Sequence, residues 1–215
     1  MQMMVQLVLW CLLAPTTFAD TVRFHVVDAQ GNGLENAVIM LPGTRTAPSE
    51  TIAVMDQVNK TFVPHVLVIQ PGQHVLFPNS DNIRHHVYSF SPAKPFEIKL
   101  YAGVPEEPIP FENPGVVVLG CNIHDTMVGY IVVADTPQAG KTDAEGNLTL
   151  DSDQALATLR IWHPYLASPN QQPATLPFPA ANAEGVRIIA LNVTPPAPAP
   201  SSGTFGNRFK RNYGQ

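Results

Sequence analysis

One short stretch limits what this 215-residue chain can fold into: Gly120-Cys121-Asn122-Ile123-His124-Asp125-Thr126-Met127-Val128-Gly129-Tyr130. It places a thiol, an imidazole and a thioether on a single loop, as C-x-x-H-x-x-M. Thiolate and thioether are soft donors that select copper over hard cations. Three donors within one turn leave the loop few backbone degrees of freedom, so a fourth donor has to come from elsewhere and fasten the loop to the body. His85-His86-Val87-Tyr88-Ser89-Phe90 supplies an upstream imidazole. Two His, one Cys and a weak axial Met are the ligand set of an electron-transfer copper site. After Met127 the run Val128-Gly129-Tyr130-Ile131-Val132-Val133 reads as a strand that anchors the loop.

Other chemistries stand beside this one. A lone Cys121 is often a small buried hydrophobe. A cysteine nucleophile needs a base and an orienting group arranged in space, and no local signature of one is present. A zinc site would want more Cys or His and no Met.

The segment Phe77-Pro78-Asn79-Ser80-Asp81-Asn82-Ile83-Arg84-His85-His86-Val87 resembles the cupredoxin pattern N-x-[DE]-x-x-x-H-x-V, which carries the first ligand His. The resemblance spans roughly residues 52–134, with two separate motifs in the expected order. The short Cys-to-Met loop is similar to that of amicyanins rather than plastocyanins. The phrases HHVYSFS and LGCNIHDTMVGYI resemble bacterial methylamine-utilisation or plastocyanin-like proteins. The resemblance implies one type 1 copper ion on His85, Cys121, His124 and Met127, with His124 as the exposed electron port. Adjacent strand residues face opposite ways, so His85 and His86 do not share a metal. The count from Asn79 favours His85, with His86 as the alternative. Asp125 stands where amicyanins commonly have Pro, so no potential carries over.

Residues 1–19 contain no charged side chain; Val5 to Ala14 is apolar, and Thr17-Phe18-Ala19 offers a cleavage site before Asp20. This reads as a secretory signal peptide and predicts a periplasmic protein without stable membrane insertion. Trp10 before Cys11 is too large for a usual lipoprotein site. Of the two cysteines, cleavage would leave only Cys121. An unpaired thiol is a liability in an oxidising compartment, and metal ligation answers it because a coordinated thiol is deprotonated and occupied.

The 22 Pro and many short Val, Thr and Phe runs bounded by Gly, Asn and Asp predict an all-β protein. Three bases lie in the tail at Arg208, Lys210 and Arg211. That leaves 9 of the 12 Lys and Arg for residues 20–194 against all 17 acids, a net of −8. Such a body disfavours nucleic acid and suits a partner with a basic docking face.

Thr21 to Pro42 shows two alternating runs around a Gly/Asn-rich turn, a hairpin signal. Its D-x-x-G-x-x-L-x-x-A-x-V phrase resembles transthyretin-like or carboxypeptidase-regulatory-like β-sandwiches. Their T-D-x-x-G continuation occurs only at Thr142 to Gly146, followed by strands at 157–163 and 185–193. The expected organisation is therefore discontinuous. Residues 20–50 and 137–194 form a transthyretin-like sandwich, and a cupredoxin Greek-key sandwich or barrel at 51–136 is inserted in or joined to it. The alternative assigns the first hairpin to the cupredoxin sheet. Within 51–136, strands are expected at Ile52–Gln57, Phe62–Ile69, His74–Phe77, Phe96–Leu100 and Phe111–Leu119. His25, His65, His74 and His163 are expected to be hydrogen-bonded structural residues, and Trp162-His163-Pro164-Tyr165 to place its rings in the sandwich core. Residues 195–215, opening Pro-Pro-Ala-Pro-Ala-Pro after Thr194, read as a disordered Pro-rich tail.

The functional expectation is a monomeric, non-enzymatic carrier of single electrons between a donor and an acceptor protein. A copper oxidase would need a second cluster of His, and none is visible. The alternatives are a copper-binding or delivery protein, or a β-sandwich interaction module with a non-redox copper site.

Overall fold

A computed structural model describes residues 20–43, 51–105, 107–152, 155–168 and 171–195. The expected signal segment and the tail beyond residue 195 lie outside the described residues. The described residues are all-β and form seventeen strands: β1 (Asp20–Val27), β2 (Val38–Met40), β3 (Ala53–Val54), β4 (Asp56–Val58), β5 (Thr61–Val63), β6 (Val66–Ile69), β7 (Gln73–Leu76), β8 (His85–Ser89), β9 (Phe96–Tyr101), β10 (Ile109–Phe111), β11 (Gly115–Gly120), β12 (Val128–Val133), β13 (Ala139–Lys141), β14 (Asn147–Ser152), β15 (Thr158–Trp162), β16 (Ala174–Pro177) and β17 (Val186–Ala190).

The ladders sort these strands into two groups. The middle group forms a five-stranded sheet in the order β6-β12-β11-β8-β9, a sheet β10-β7-β3 and the β4-β5 hairpin. Asn59 and Lys60 take φ of 53° and 60° in the hairpin turn, as tight hairpin turns require. Period-two alternation turns Val87, Val117, Leu119 and Ile131 inward against Met55, Phe62, Phe77 and Phe111. The outer group forms β14-β1-β17 and β13-β2-β15-β16. Phe24 and Val26 of β1 there meet Ile39 of β2 and Leu159 and Ile161 of β15.

A third buried cluster joins the groups. Val38, Met40 and Trp162 from the outer strands pack on Val66, Val116 and Val132 from the middle ones. Each such aliphatic contributes roughly 1.5–3 kcal/mol when fully buried, so this seam holds the groups face to face. Trp162 is fully buried and lies 5.2 Å, centroid to centroid, from Tyr130. The ring was expected in the core of the outer sandwich; it lies instead in the seam between the two groups.

Four local expectations are corrected. Ile52–Gln57 is not one strand but β3, paired with β7, and β4, paired with β5; Phe62–Ile69 likewise divides into β5, paired with β4, and β6, paired with β12. β1 and β2 do not form a hairpin: β1 pairs with β14 and β17, β2 with β13 and β15. The Asp28 carboxylate accepts the Gln30 and Asn32 N–H groups, both at 2.8 Å. That turn, and the left-handed Asn36 (φ 64°) further on, carry the chain across to the facing sheet instead of back alongside β1. Similarly, Phe111–Leu119 is not one strand. β10 pairs with β7 and β11 with β12 and β8, so the chain changes sheets at residues 112–114. Pro114, which lacks an N–H, sits at that break.

Candidate metal centre

The β11–β12 ladder fixes the ends of the loop. Gly120 pairs with Val128 and Leu119 with Gly129, so residues 121–127 close the hairpin. Gly120 also pairs with Tyr88 of β8, which sets the start of β8 beside the loop. Both ladder glycines are required by close approach. A Cβ at Gly120 would fall 2.7 Å from Tyr88 Cζ, and one at Gly129 2.7 Å from Phe62 Cβ. Within the loop, the His124 N–H reaches the Cys121 carbonyl at 3.4 Å and the Met127 N–H reaches the His124 carbonyl at 2.9 Å.

This brings three of the four expected donors together. Cys121 Sγ lies 3.8 Å from His85 Nδ1 and 3.9 Å from His124 Nδ1. The three donor atoms all lie within 4.8 Å of one another, and the two rings are 5.1 Å apart. With bonds of about 2.0–2.3 Å to a first-row ion, N and S donors on one centre stand roughly 3.5–3.8 Å apart. The Cys121–His spacings therefore suit a shared ion with little rearrangement. Met127 is buried at 1% exposure on the same loop, in the core cluster that also holds Cys121. His85 and Cys121 are buried, and His124 is half-buried. Among the described residues, this is the one group of three or more such donors.

The two adjacent histidines part as strand alternation requires. His85 turns inward. His86 turns to Glu97, with Nε2 2.9 Å from Oε1, and its ring lies 5.5 Å from that of Tyr88.

Asp81 holds His85 from behind. Its Oδ2 accepts from His85 Nε2 at 2.7 Å, which puts the ring proton on Nε2 and leaves the Nδ1 lone pair facing the sulfur. Such a carboxylate behind a ligating imidazole fixes its tautomer and its angle. Asp81 also accepts the Asn59 N–H at 2.6 Å and the Lys60 N–H at 2.9 Å. Burial acts to raise its pKa, but the bonds from Lys60, His85 and Asn59 outweigh that and hold the carboxyl below its ordinary range. Asn79 braces the same loop: its Nδ2 donates to the Ile83 and Tyr101 carbonyls, both at 2.9 Å, and its Oδ1 accepts the Asp81 N–H. The Tyr101 hydroxyl donates to the Phe77 carbonyl at 2.6 Å and accepts from Gln57 Nε2. Burial pushes that phenol up to about 12, with the Asp56 and Cys121 charges adding to the rise against the Gln57 bond. Asp81 was visible in the N-x-[DE] pattern, but its role was not. Tyr101 gave no signal in the sequence.

No family model matches the chain, and no curated protein does. Solved structures do. A Cu-containing nitrite reductase from Thermus scotoductus SA-01 is 25% identical over 51% of this chain, with a TM-score of 0.37, and the match spans 28% of that enzyme. A purple cupredoxin from Nitrosopumilus maritimus is 22% identical over 40% of this chain and 100% of its own, with a TM-score of 0.34. Amicyanin from Paracoccus versutus is 18% identical over 44% of this chain and 96% of its own, with a TM-score of 0.32. What ties this chain to copper is its own donor set, a soft thiol between two imidazoles with a thioether on the same loop. That set suits a single type 1 copper ion.

Proposed function

We propose that this chain is a periplasmic type 1 copper protein that carries single electrons between a donor and an acceptor protein, with His85, Cys121, His124 and Met127 as its ligands. The observation that carries the reading is the convergence of Cys121 Sγ on His85 Nδ1 and His124 Nδ1 at 3.8 and 3.9 Å. Bound copper would supply a one-electron couple. The protein's own part is rigidity. Asp81 holds the His85 ring and the β11–β12 ladder holds both ends of the ligand loop, so the donors need not move when charge changes. Buried Cys121 and Met127 keep water from the centre, while half-buried His124 offers the shortest covalent route to a partner's surface. Nothing in this needs a catalytic acid, base or nucleophile. The net −8 of residues 20–194 suits partners with a basic docking face.

The strand ladders support a second part of the proposal, that residues 20–50 and 137–194 are one discontinuous sandwich with 51–136 inserted. Every ladder of β1, β2 and β13–β17 lies within that set. Among the described residues no helix is long and apolar enough to cross a membrane.

The test is copper loading of the full chain, followed by visible and electron paramagnetic resonance spectra. An intense visible band that bleaches on reduction and returns on oxidation is expected. Tight cuprous binding without the band would move the assignment to copper delivery, and no uptake at all would leave an interaction module.

A further inference from the structure

The β4–β5 hairpin forms a two-stranded sheet of its own, yet it touches both segments that carry donors. β8 holds His85 and β11 runs into Cys121, and among the described residues their ladder registers at one pair, Tyr88 with Gly120. On its other side β8 is irregular, with its register to β9 shifting between His85 and Val87. The hairpin offers a second tie. Its inward face is a single cross-strand pair. Gln57 of β4 stands opposite Phe62 of β5, and directly opposed side chains lie on one face. Gln57 is 0% exposed and Phe62 1%, whereas Asp56, Val58, Thr61 and Val63 beside them are half-buried or exposed.

Each member of the pair reaches a different segment. Gln57 Nε2 donates to the Pro78 carbonyl at 2.9 Å and to the Tyr101 hydroxyl, which donates in turn to the Phe77 carbonyl at 2.6 Å. The Gln57 N–H also donates to the Pro78 carbonyl, at 3.1 Å, and the Gln57 carbonyl accepts the Ser80 N–H at 3.0 Å. These bonds hold the chain just ahead of Asp81 and His85. Phe62 instead meets Gly129, two residues past Met127, where a Cβ would fall 2.7–3.0 Å from three Phe62 atoms. A contact that tied one segment would steady that segment alone. A pair that ties both fixes the gap between them, and a ligand constellation needs its parts held within about 0.5 Å. We propose that Gln57 and Phe62 are positioning residues of the metal centre: this one cross-strand pair sets the separation between His85 and the loop of Cys121, His124 and Met127. The inference rests on the copper reading above.

The experiment takes the full chain with Gln57→Met, which keeps the side chain's length but cannot donate, and Phe62→Leu, alone and together. Proton–nitrogen correlation NMR of copper-free protein reads the gap. Gln57→Met should move the amides of residues 121–129 as well as those of 77–81, and Phe62→Leu those of 77–86 as well as 127–130. After copper loading, each single variant should weaken affinity about tenfold, the low end for groups behind ligands, and change the copper hyperfine splitting in the paramagnetic resonance spectrum. The double variant should stay within about twofold of the worse single one, because either break frees the same gap. A merely structural role would lower the melting temperature and leave splitting and affinity where they were. That result would overturn the proposal, as would losses that multiply to about 100-fold or amide shifts confined to the mutated side. Gln57→Met leaves the Pro78 carbonyl its bond from the Gln57 N–H and the Phe77 carbonyl its bond from Tyr101, so it carries the test if Phe62→Leu does not fold. Wild-type protein that took up no copper would sink the copper reading, while the amide shifts would still decide whether the pair links the two segments.

Discussion

The chain places two pairs of histidines in buried or half-buried surroundings, and they differ in what completes them. His85 and His124 face a thiol under 4 Å away, with a carboxylate behind His85. His65 and His163 face a cavity with no sulfur in it, and the His163 ring is satisfied by backbone. Burial is common to both pairs and so does not distinguish them. The difference is whether enough donors of matched softness converge on one point. A metal centre is a property of the donor set, whereas a lone imidazole in a pocket is a hydrogen-bonding group.

The most severe way to break this contrast is to make the first pair resemble the second. Cys121→Ala leaves two imidazoles and a thioether. It should abolish the visible band and weaken copper binding more than about 100-fold, beyond the 10–100-fold typical of groups behind the ligands. Competition against a chelator of known affinity checks this. Retention of the band would show that another sulfur supplies it.

Asp81→Ala sharpens the contrast, since it removes the group that orients His85 without removing a donor. Copper affinity should fall about 10–100-fold, measured by the same competition. Asp81→Asn, whose carbonyl oxygen still accepts from Nε2–H, should recover much of the loss. Equal losses in both variants would mean that the carboxylate acts through the Asn59 and Lys60 turn instead.

The second pair makes its own prediction through pH. Burial, then the neighbouring His65, lowers the His163 pKa from 6.5 against the bond to the Glu35 carbonyl, and burial likewise lowers that of His65. Asp28, Glu35 and Tyr165 are the other titratable residues lining the cavity. The unfolded chain therefore binds protons that the folded one resists. Stability is complete above pH 6.5 and falls as pH drops below it, levelling off under the folded pKa values. Melting temperatures of copper-free protein from pH 8 to 5 should show this fall, and His163→Gln should make it shallower. A flat profile would mean that these rings are solvated.

How far the sequence could foresee these regions follows from the range of each interaction. The loop of candidate donors was legible because Cys121, His124 and Met127 lie within seven consecutive residues, and His85 sits in a motif of its own. The β1–β2 hairpin was misread because alternation shows which residues face inward but not which strand lies alongside. The break at Glu112–Pro114 was missed because an apolar run looks the same whether it stays in one sheet or crosses to another. The seam was invisible for a stronger reason. Val38, Val66, Val132 and Trp162 meet only after two separated halves close.

The smallest effect belongs to the histidine beside the ligand. His86 follows His85 on β8, but alternation sends it to the other face, where Glu97 is more than half exposed. A pair open to solvent on its Glu97 side contributes about 0–1 kcal/mol, and the ring contact with Tyr88 lies outside the metal centre. His86→Gln should thus change stability by less than about 1 kcal/mol while leaving the visible band and copper affinity unaltered, whereas His85→Gln should remove both. The opposite result, with the band surviving His85→Gln and lost in His86→Gln, would require β8 to be shifted by one residue. Such a slip turns every side chain of a strand over. It would bring Tyr88 into the core in place of Val87, which is fully buried, and would set His86 opposite the sulfur. Comparing the two variants therefore tests the register of β8 and the identity of the ligand in one measurement.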